Sequence, residues 1–393
     1  MLLAGGYKIP ENSANAVALG AANVAHNHNS ADAAFYNPAK MVFMSDENHI
    51  DANLMYIGLS KVDYKGDVTG APAQDISSES EDFIVPSFHY VSPKLGKSNA
   101  RVGLSIVSPG GLSKRWENSI ASYSAEEFTL QTVEINPTAA FEINKEWGVA
   151  VGFRMVHSVG IAKAQGKHPS LGNYSQDLEG DGFDVGYNFA LAYQPTKNLE
   201  FGFTYRSKIN LALDGDADLI STTAPTLNGN YDVSVDIPLP AAINLAMAYT
   251  LPSQTTLEFV YERTYWSAYQ ALDFEYANPV AEAKFGTTHP KKWKDANTYR
   301  FGVTQELETL TLMGGVVVDE SPVPESTLKF ELPDTDTLAF SLGARYTIDK
   351  NIDIALSGLY SLYDERKVSN SSLNGEFSGG DVLIISAGVG YRF

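Results

Sequence analysis

From residue 381 to residue 393 the chain reads DVLIISAGVGYRF, and its side chains separate by parity. Leu383, Ile385, Ala387, Val389, Tyr391 and Phe393 share one face. Ile384, Ser386, Gly388, Gly390 and Arg392 share the other. A repeat of two is the mark of a β-strand with unlike surroundings on its two faces. Residues 147–161 repeat the pattern: Val149, Val151, Phe153, Met155, Val159 and Ile161 lie opposite Gly148, Gly152, Arg154, Ser158 and Gly160. In residues 255–265 Leu257, Phe259 and Tyr261 lie opposite Glu258 and Glu262. In residues 351–363 the apolar face is Ile352, Ile354, Leu356, Tyr360 and Leu362. About fourteen such stretches follow one another from His49 onward, separated by turn signals.

Alternation alone fits either a soluble barrel with an apolar interior or a membrane barrel with an apolar exterior. Three features favour the membrane barrel. So many strands would enclose too wide an interior for side chains to fill. The second face carries Gly, Ser and charged residues, which suit a wet lumen. Aromatic residues gather near strand ends, at Tyr56, Tyr64, Trp147, Tyr261, Tyr265, Trp266, Tyr360 and Tyr391, where interfacial girdles would use them. Short links (93–99, 144–146, 194–198, 252–254, 306–308, 349–351) alternate with long ones (68–80, 108–127, 163–181, 214–230, 272–295, 319–336, 367–380). Short periplasmic turns and long outer loops are the barrel rule, and seven long loops imply fourteen strands. The expected fold is all-β: a fourteen-stranded antiparallel transmembrane barrel over residues 48–393 of the bacterial outer membrane.

Composition narrows the function. A formal net charge of −19 argues against nucleic acid as a partner, since phosphate binding needs a basic surface. Cysteine is absent, so there is no disulfide and no thiolate chemistry. No apolar run is long enough for a membrane-crossing helix. No nucleophile-elbow, zinc-protease or phosphate-loop motif occurs, so neither an enzyme nor a cofactor is expected. His26 and His28 stand two apart, but no third ligand lies near them in sequence, and no metal site is expected.

Residues 1–47 differ from the rest. Residues 1–5 resemble the remnant of a secretory signal, with a short apolar tail before small residues. Residues 6–47 are rich in Ala and Asn, with a short helix expected within 14–25 and a break at Asn37-Pro38. The segment is too small for a core of its own and must pack against or inside the barrel.

Several motifs, taken in order, resemble the FadL family of outer-membrane transporters for long-chain fatty acids and aromatic hydrocarbons. They are Gly6-Tyr7-Lys8-Ile9-Pro10-Glu11-Asn12-Ser13, Phe35-Tyr36-Asn37-Pro38-Ala39, Glu134-Ile135-Asn136-Pro137, Leu239-Pro240-Ala241-Ala242, Trp266-Ser267-Ala268, Trp293-Lys294-Asp295, Asp319-Glu320-Ser321-Pro322 and Leu332-Pro333-Asp334. The resemblance implies that residues 1–47 form a plug, or hatch, within the lumen. It implies passive uptake: a greasy ligand is caught at the outer loops, moves to a pocket near the plug's N-terminus and leaves sideways through the wall. Long-chain fatty acids are the first expectation for that ligand and monoaromatic hydrocarbons the alternative. The protein is expected to be a monomer, with outer-membrane lipid and lipopolysaccharide around it. A barrel serving adhesion or structure without transport is the competing class, but an adhesin has no need to stopper its lumen. Two positions depart from the family pattern. Lys40 stands where Gly usually follows Asn-Pro-Ala, and Thr337 stands near a usual Arg.

The physics of such a route is general. Exposing an acyl chain to water costs about 0.8 kcal/mol per CH₂, so an apolar path and a lateral exit avoid most of the barrier. A lateral exit needs an interrupted hydrogen-bond ladder, and Pro86 and Ser108-Pro109-Gly110-Gly111 are candidates for the break, with an ordinary strand end as their alternative role. Tyr7 and Ile9 are candidate pocket residues, with plug anchoring as their alternative role. Leu112, Trp116, Ile120 and Tyr123, spaced by about four, would form either an amphipathic collecting helix or a packed loop. Arg154, facing the lumen, would pair with a ligand carboxylate or with a lumenal glutamate such as Glu258 or Glu262. Ser13, Asn37, Pro38 and Ala39 are expected to hold the plug's own fold, with a direct ligand contact as the alternative for Asn37-Pro38-Ala39.

Overall fold

The structure, a computed structural model, describes residues 5–168, 171–286 and 288–393. The expected signal remnant therefore lies, apart from Gly5, outside the described residues. The wall begins with β1 (His49–Leu59), β2 (Glu81–Val91), β3 (Ala100–Val107, resuming at Gly111–Arg115), β4 (Glu127–Glu142) and β5 (Trp147–His168). It continues with β6 (Gly172–Tyr193), β7 (Leu199–Arg206, then Ile209–Ser221), β8 (Gly229–Leu239, then Ala242–Thr250) and β9 (Thr255–Thr264). It ends with β10 (Ala296–Glu306), β11 (Leu310–Asp319), β12 (Thr337–Thr347), β13 (Ile352–Tyr363) and β14 (Val382–Arg392). Each strand runs antiparallel to the next, and β14 closes on β1 from His49 opposite Arg392 to Leu59 opposite Val382. The result is the expected closed fourteen-stranded barrel. Closure leaves no strand edge for lipid to leave unpaired.

Parity decides which face meets lipid. On β14 Leu383, Ile385 and Val389 are 39–49% exposed, while Ile384 and Ser386 are at most 1% exposed. Phe259, Leu356 and Tyr360 point out as expected, and Glu258 and Glu262 point in. Two expected girdle residues do not. Trp266 and Tyr64 are fully buried above the wall, because their segments fold back over the lumen instead of lying along the interface.

The long links are less loop-like than expected. Residues 163–181 and 214–230 are mostly strand: β5 and β6 pair out to His168 opposite Gly172, and β7 and β8 pair out to Leu219 opposite Gly229. There the exposed face turns polar, as at Asp214, Asp216 and Asp218, while the buried face keeps Leu178, Ala217, Leu219 and Val233 in an apolar cluster. The ladder continues into water because backbone groups still need partners. A separate four-stranded sheet (Arg366–Ser369, Leu373–Gly379, Val62–Val68, Gln74–Ser77) lies on the outer side. Its Tyr64 and Phe377 pack on Phe330 and Trp116.

The N-terminal segment fills the lumen. Helix α1 (Ala14–Leu19) starts at Ser13, whose Oγ accepts from the Ala16 N–H and donates to Asp32. It stops well short of residue 25, because Gly20 adopts a left-handed φ of 57° and ends the turn. Helix α2 (Ala33–Tyr36) leads to Asn37, whose Oδ1 caps the 3₁₀ turn Pro38–Phe43. The Asn37 amide donates to the Val24 carbonyl at 2.8 Å and to the wall carbonyl of Leu191 at 3.1 Å. Pro38 occupies the first turn, where no N–H is required, and Ala39 packs with no exposed surface. Wall side chains grip the plug. Glu258 accepts from the N–H groups of Val24, Ala25 and His26. Arg345 joins Asn15 to Asp51 and Asp353, and Lys40 is ion-paired to Glu200. The departure at Lys40 therefore adds a plug-to-wall contact.

Candidate functional site

The β-ladder of the wall is interrupted where the sequence has Ser108-Pro109-Gly110. β2 and β3 pair only between Phe88 opposite Ile106 and Val91 opposite Gly103. Above that point Gly111–Arg115 pairs with β4 alone. The two strands meet again at the top, where the Glu79 N–H donates to the Arg115 carbonyl and the Ser113 hydroxyl to Glu81. Between these limits lies a window of about 260 Å³. Ile84, Ile106 and Val133 line it on the lipid-exposed side, and Leu112 and Leu130 on the buried side. Pro86, the other candidate for the break, also lines it.

A broken ladder leaves orphaned backbone groups, which a membrane wall does not tolerate. The plug supplies their partners. Lys8 bridges Gly110, the Ile9 N–H donates to the Pro109 carbonyl at 3.1 Å, and the Gly111 N–H donates to the Tyr7 carbonyl at 2.8 Å. The Ser108 N–H donates to the Asn12 side chain at 3.0 Å. The plug's N-terminus thus runs as a short strand along the inner edge of the window.

Tyr7 sits in an aromatic cage. Its ring centroid lies 4.6 Å from that of Trp266, 5.7 Å from Trp293 and 6.0 Å from Tyr269. Its hydroxyl donates to the Pro238 carbonyl. Trp266 and Trp293 come from two of the sequence motifs, but nothing local in either motif shows that they close on one tyrosine.

An outer cup of about 250 Å³ opens between the loops. Its apolar lining includes Phe128, Leu178, Leu272, Phe274 and Phe285. Lys163, Lys284 and Lys329 add positive charge, and Lys163 is paired to Asp177 at 2.9 Å. Glu331, in the same lining, is ion-paired to Lys291. Burial would push the Glu331 carboxyl up, but Lys291 and Lys329 outweigh it and hold the group below its ordinary range. Phe128 and Leu272 of the cup, Leu112 and Leu130 of the window, and Tyr7 with its cage all belong to one contiguous apolar cluster.

A smaller lumenal cavity of about 70 Å³ lies between plug and wall, lined by Ile9, Tyr36, Arg154, Arg206, Glu262 and Arg300 among others. Arg154 pairs with neither expected glutamate. Its Nη2 lies 2.8 Å from Glu134, which also binds Arg206. Glu258 is occupied by the plug's N–H groups, and Glu262 by Lys8. Parity placed these groups in the lumen, but only the barrel's stagger sets which ones meet.

Leu112 lines the window, Tyr7 and Ile9 meet its broken edge through their backbone hydrogen bonds to Gly111 and Pro109, and Arg154 and Ile9 both line the lumenal cavity. Of the two arrangements open to Leu112, Trp116, Ile120 and Tyr123, the collecting helix does not form. Leu112 lies in β3, Trp116 follows that strand, and only Ser122–Ala125 is helical. Trp116 is fully buried, and its indole N–H donates to the Phe330 carbonyl at 2.9 Å. Leu112 pairs opposite Leu130 of β4, so strand pairing prevails over the four-residue spacing.

The sequence model of the family described as "Outer membrane protein transport protein (OMPP1/FadL/TodX)" matches residues 1–393. A "Long-chain fatty acid transport protein" of Escherichia coli O6:H1 is 27% identical over 369 residues, covering 82% of this chain and 79% of the relative. A solved Pseudomonas aeruginosa FadL homologue superposes with a TM-score of 0.87 at 18% identity, covering 98% of this chain and 99% of that one. The Ralstonia pickettii toluene transporter TbuX superposes with a TM-score of 0.72 at 18% identity, covering 97% and 98%.

Proposed function

The chain belongs to the OMPP1/FadL/TodX family of outer membrane transport proteins, and from that premise we propose that it takes up long-chain fatty acids by passive passage from the outer cup to the lateral window. The observation that carries this reading is the contiguous apolar cluster that runs from the cup, past Tyr7, to the window. Along it an acyl chain exchanges water for side chains, at about 0.8 kcal/mol per CH₂. The lysines of the cup favour a carboxylate head group at the point of capture: Lys284 and Lys329 take part in no ion pair among the described residues. The plug blocks the straight route through the lumen, so release is sideways, through the gap between β2 and β3. Tyr7, Ile9 and Leu112 are the residues we assign to the inner side of that exit. Trp116 supports the loop roof without touching the path, and Arg154 holds the lumenal ion cluster.

A second reading, uptake of monoaromatic hydrocarbons, is favoured by the cage of Trp266, Tyr269 and Trp293, whose faces suit a flat ring. One pair of measurements separates the two. In a host lacking its own fatty acid transporter, this chain should restore uptake of labelled oleate, with toluene competing poorly. The Ile106→Trp, Val133→Trp double variant places two indoles over the outer mouth of the window and should abolish uptake while leaving heat-modifiable gel mobility unchanged. Unaltered oleate uptake in that variant would sink lateral release. Uptake of toluene without oleate would replace the substrate.

A further inference from the structure

At the periplasmic mouth two plug side chains meet one from the wall. His26 and His28 lie in the loop between α1 and α2. Glu306 ends β10, beside a short periplasmic turn. The two imidazole rings are 4.4 Å apart, and Nδ1 of His28 lies 3.1 Å from Oε1 of Glu306. One donor atom from each of the three residues lies within 4.8 Å of the others. The sequence offered only the histidine pair; the third group comes from 278 residues further on.

The hydrogen-bond pattern suits ligation. Nδ1 of His26 is hydrogen-bonded to the Glu200 carboxylate, so Nε2 is the ring nitrogen left to ligate. That Nε2 is buried and has no hydrogen-bond partner. A carboxylate behind the non-ligating nitrogen is the usual device that orients a metal-binding histidine. The loop is also fixed before any ion arrives. Glu258 accepts from the His26 N–H at 3.1 Å, and Asn29 exchanges two hydrogen bonds with Ser45.

We propose that His26 Nε2, His28 and Glu306 form a divalent transition-metal site, suited first to Zn²⁺, that ties the plug to the barrel wall at the periplasmic exit. Two imidazole nitrogens and one carboxylate oxygen are a zinc donor set, whereas Ca²⁺ and Mg²⁺ prefer oxygen alone. Ligands about 2.0–2.1 Å from a tetrahedral zinc stand about 3.4 Å apart, so the His28–Glu306 edge is already near its final length. The Glu306 side chain is 46% exposed, which leaves the fourth position open to periplasmic water. Because the ligands come from both plug and wall, the ion binds only the docked plug and stabilises it by mass action.

The test is calorimetric titration of ZnCl₂ into the refolded full-length protein in detergent, beside Glu306→Gln and His28→Asn, with heat-modifiable gel mobility as the fold control. One ion per chain, weakened at least tenfold in both folded variants and not displaced by excess Mg²⁺, supports the site. No zinc binding by the unaltered protein, or wild-type affinity in either variant, overturns it. Either variant alone decides the question if the other fails to fold. Uptake plays no part in the readout, so the result is independent of the transport reading.

Discussion

Lys8 and Gly110 face each other in an isolated antiparallel bridge that joins the plug's first residues to the break in the barrel wall. A Cβ at Gly110 would stand 2.9 Å from the Tyr7 carbonyl oxygen, so this contact needs a residue without a side chain. Gly110→Val should push the two backbones apart and expose the Ile9 and Gly111 amides. Hydrogen exchange at both should quicken by at least about tenfold, the equivalent of about 1.4 kcal/mol. Unchanged exchange would mean that other contacts hold the plug's N-terminus in place.

Glu134 is fully buried between Arg154 and Arg206. Removing it leaves two cations in the lumen without their counter-ion. Glu134→Ala should cost about 3–5 kcal/mol, the usual loss when one partner of a buried pair is deleted. Urea unfolding from lipid vesicles measures it. A loss below about 1 kcal/mol would show that lumenal water screens the arginines.

Asn37 makes three hydrogen bonds with one side chain, to Ala39, Val24 and Leu191. Asn37→Ala strands buried backbone groups on both plug and wall, each worth about 1–3 kcal/mol. The plug should loosen while the barrel stays folded. Limited proteolysis from the periplasmic side should then cut within residues 20–45, and heat-modifiable mobility should be retained.

Asp334, in the outer loop after β11, should give a pH response of defined sign. Burial pushes its carboxyl up to about 7, well above its ordinary value, although the Ser321 hydroxyl donates to it at 2.6 Å. A carboxyl raised on folding contributes stability that is complete below its unfolded pKa of about 3.9 and is lost as pH rises through the folded value. The loop should therefore be more protected at pH 5.5 than at pH 8.5, as read by hydrogen exchange over residues 320–336. Glu331 does not confuse the measurement, because its lowered pKa keeps it ionised across that window. Asp334→Asn, which cannot ionise, should flatten the pH step. An equal step in the variant would assign the response to another group.

Much of the wall was legible in residue order. Parity in segments such as residues 147–161 and 381–393 marked the strands and sorted their side chains into two faces. The number of strands, the polar second face and the aromatic residues near strand ends turned the apolar face outward, and alternating short and long links gave the strand order. Composition set the Ala- and Asn-rich segment apart, and Ser108-Pro109-Gly110 was legible as either a strand end or a break in the ladder, because Pro lacks the donor that a ladder needs. Partnerships among lumenal residues were not legible. Arg154 meets Glu134, not Glu258 or Glu262. Trp266 and Trp293 enclose Tyr7, and Glu306 meets His26 and His28. The barrel's curvature and stagger bring these groups together across hundreds of residues. Local sequence records which face a side chain takes, but only closure of the barrel around its plug decides what stands opposite it.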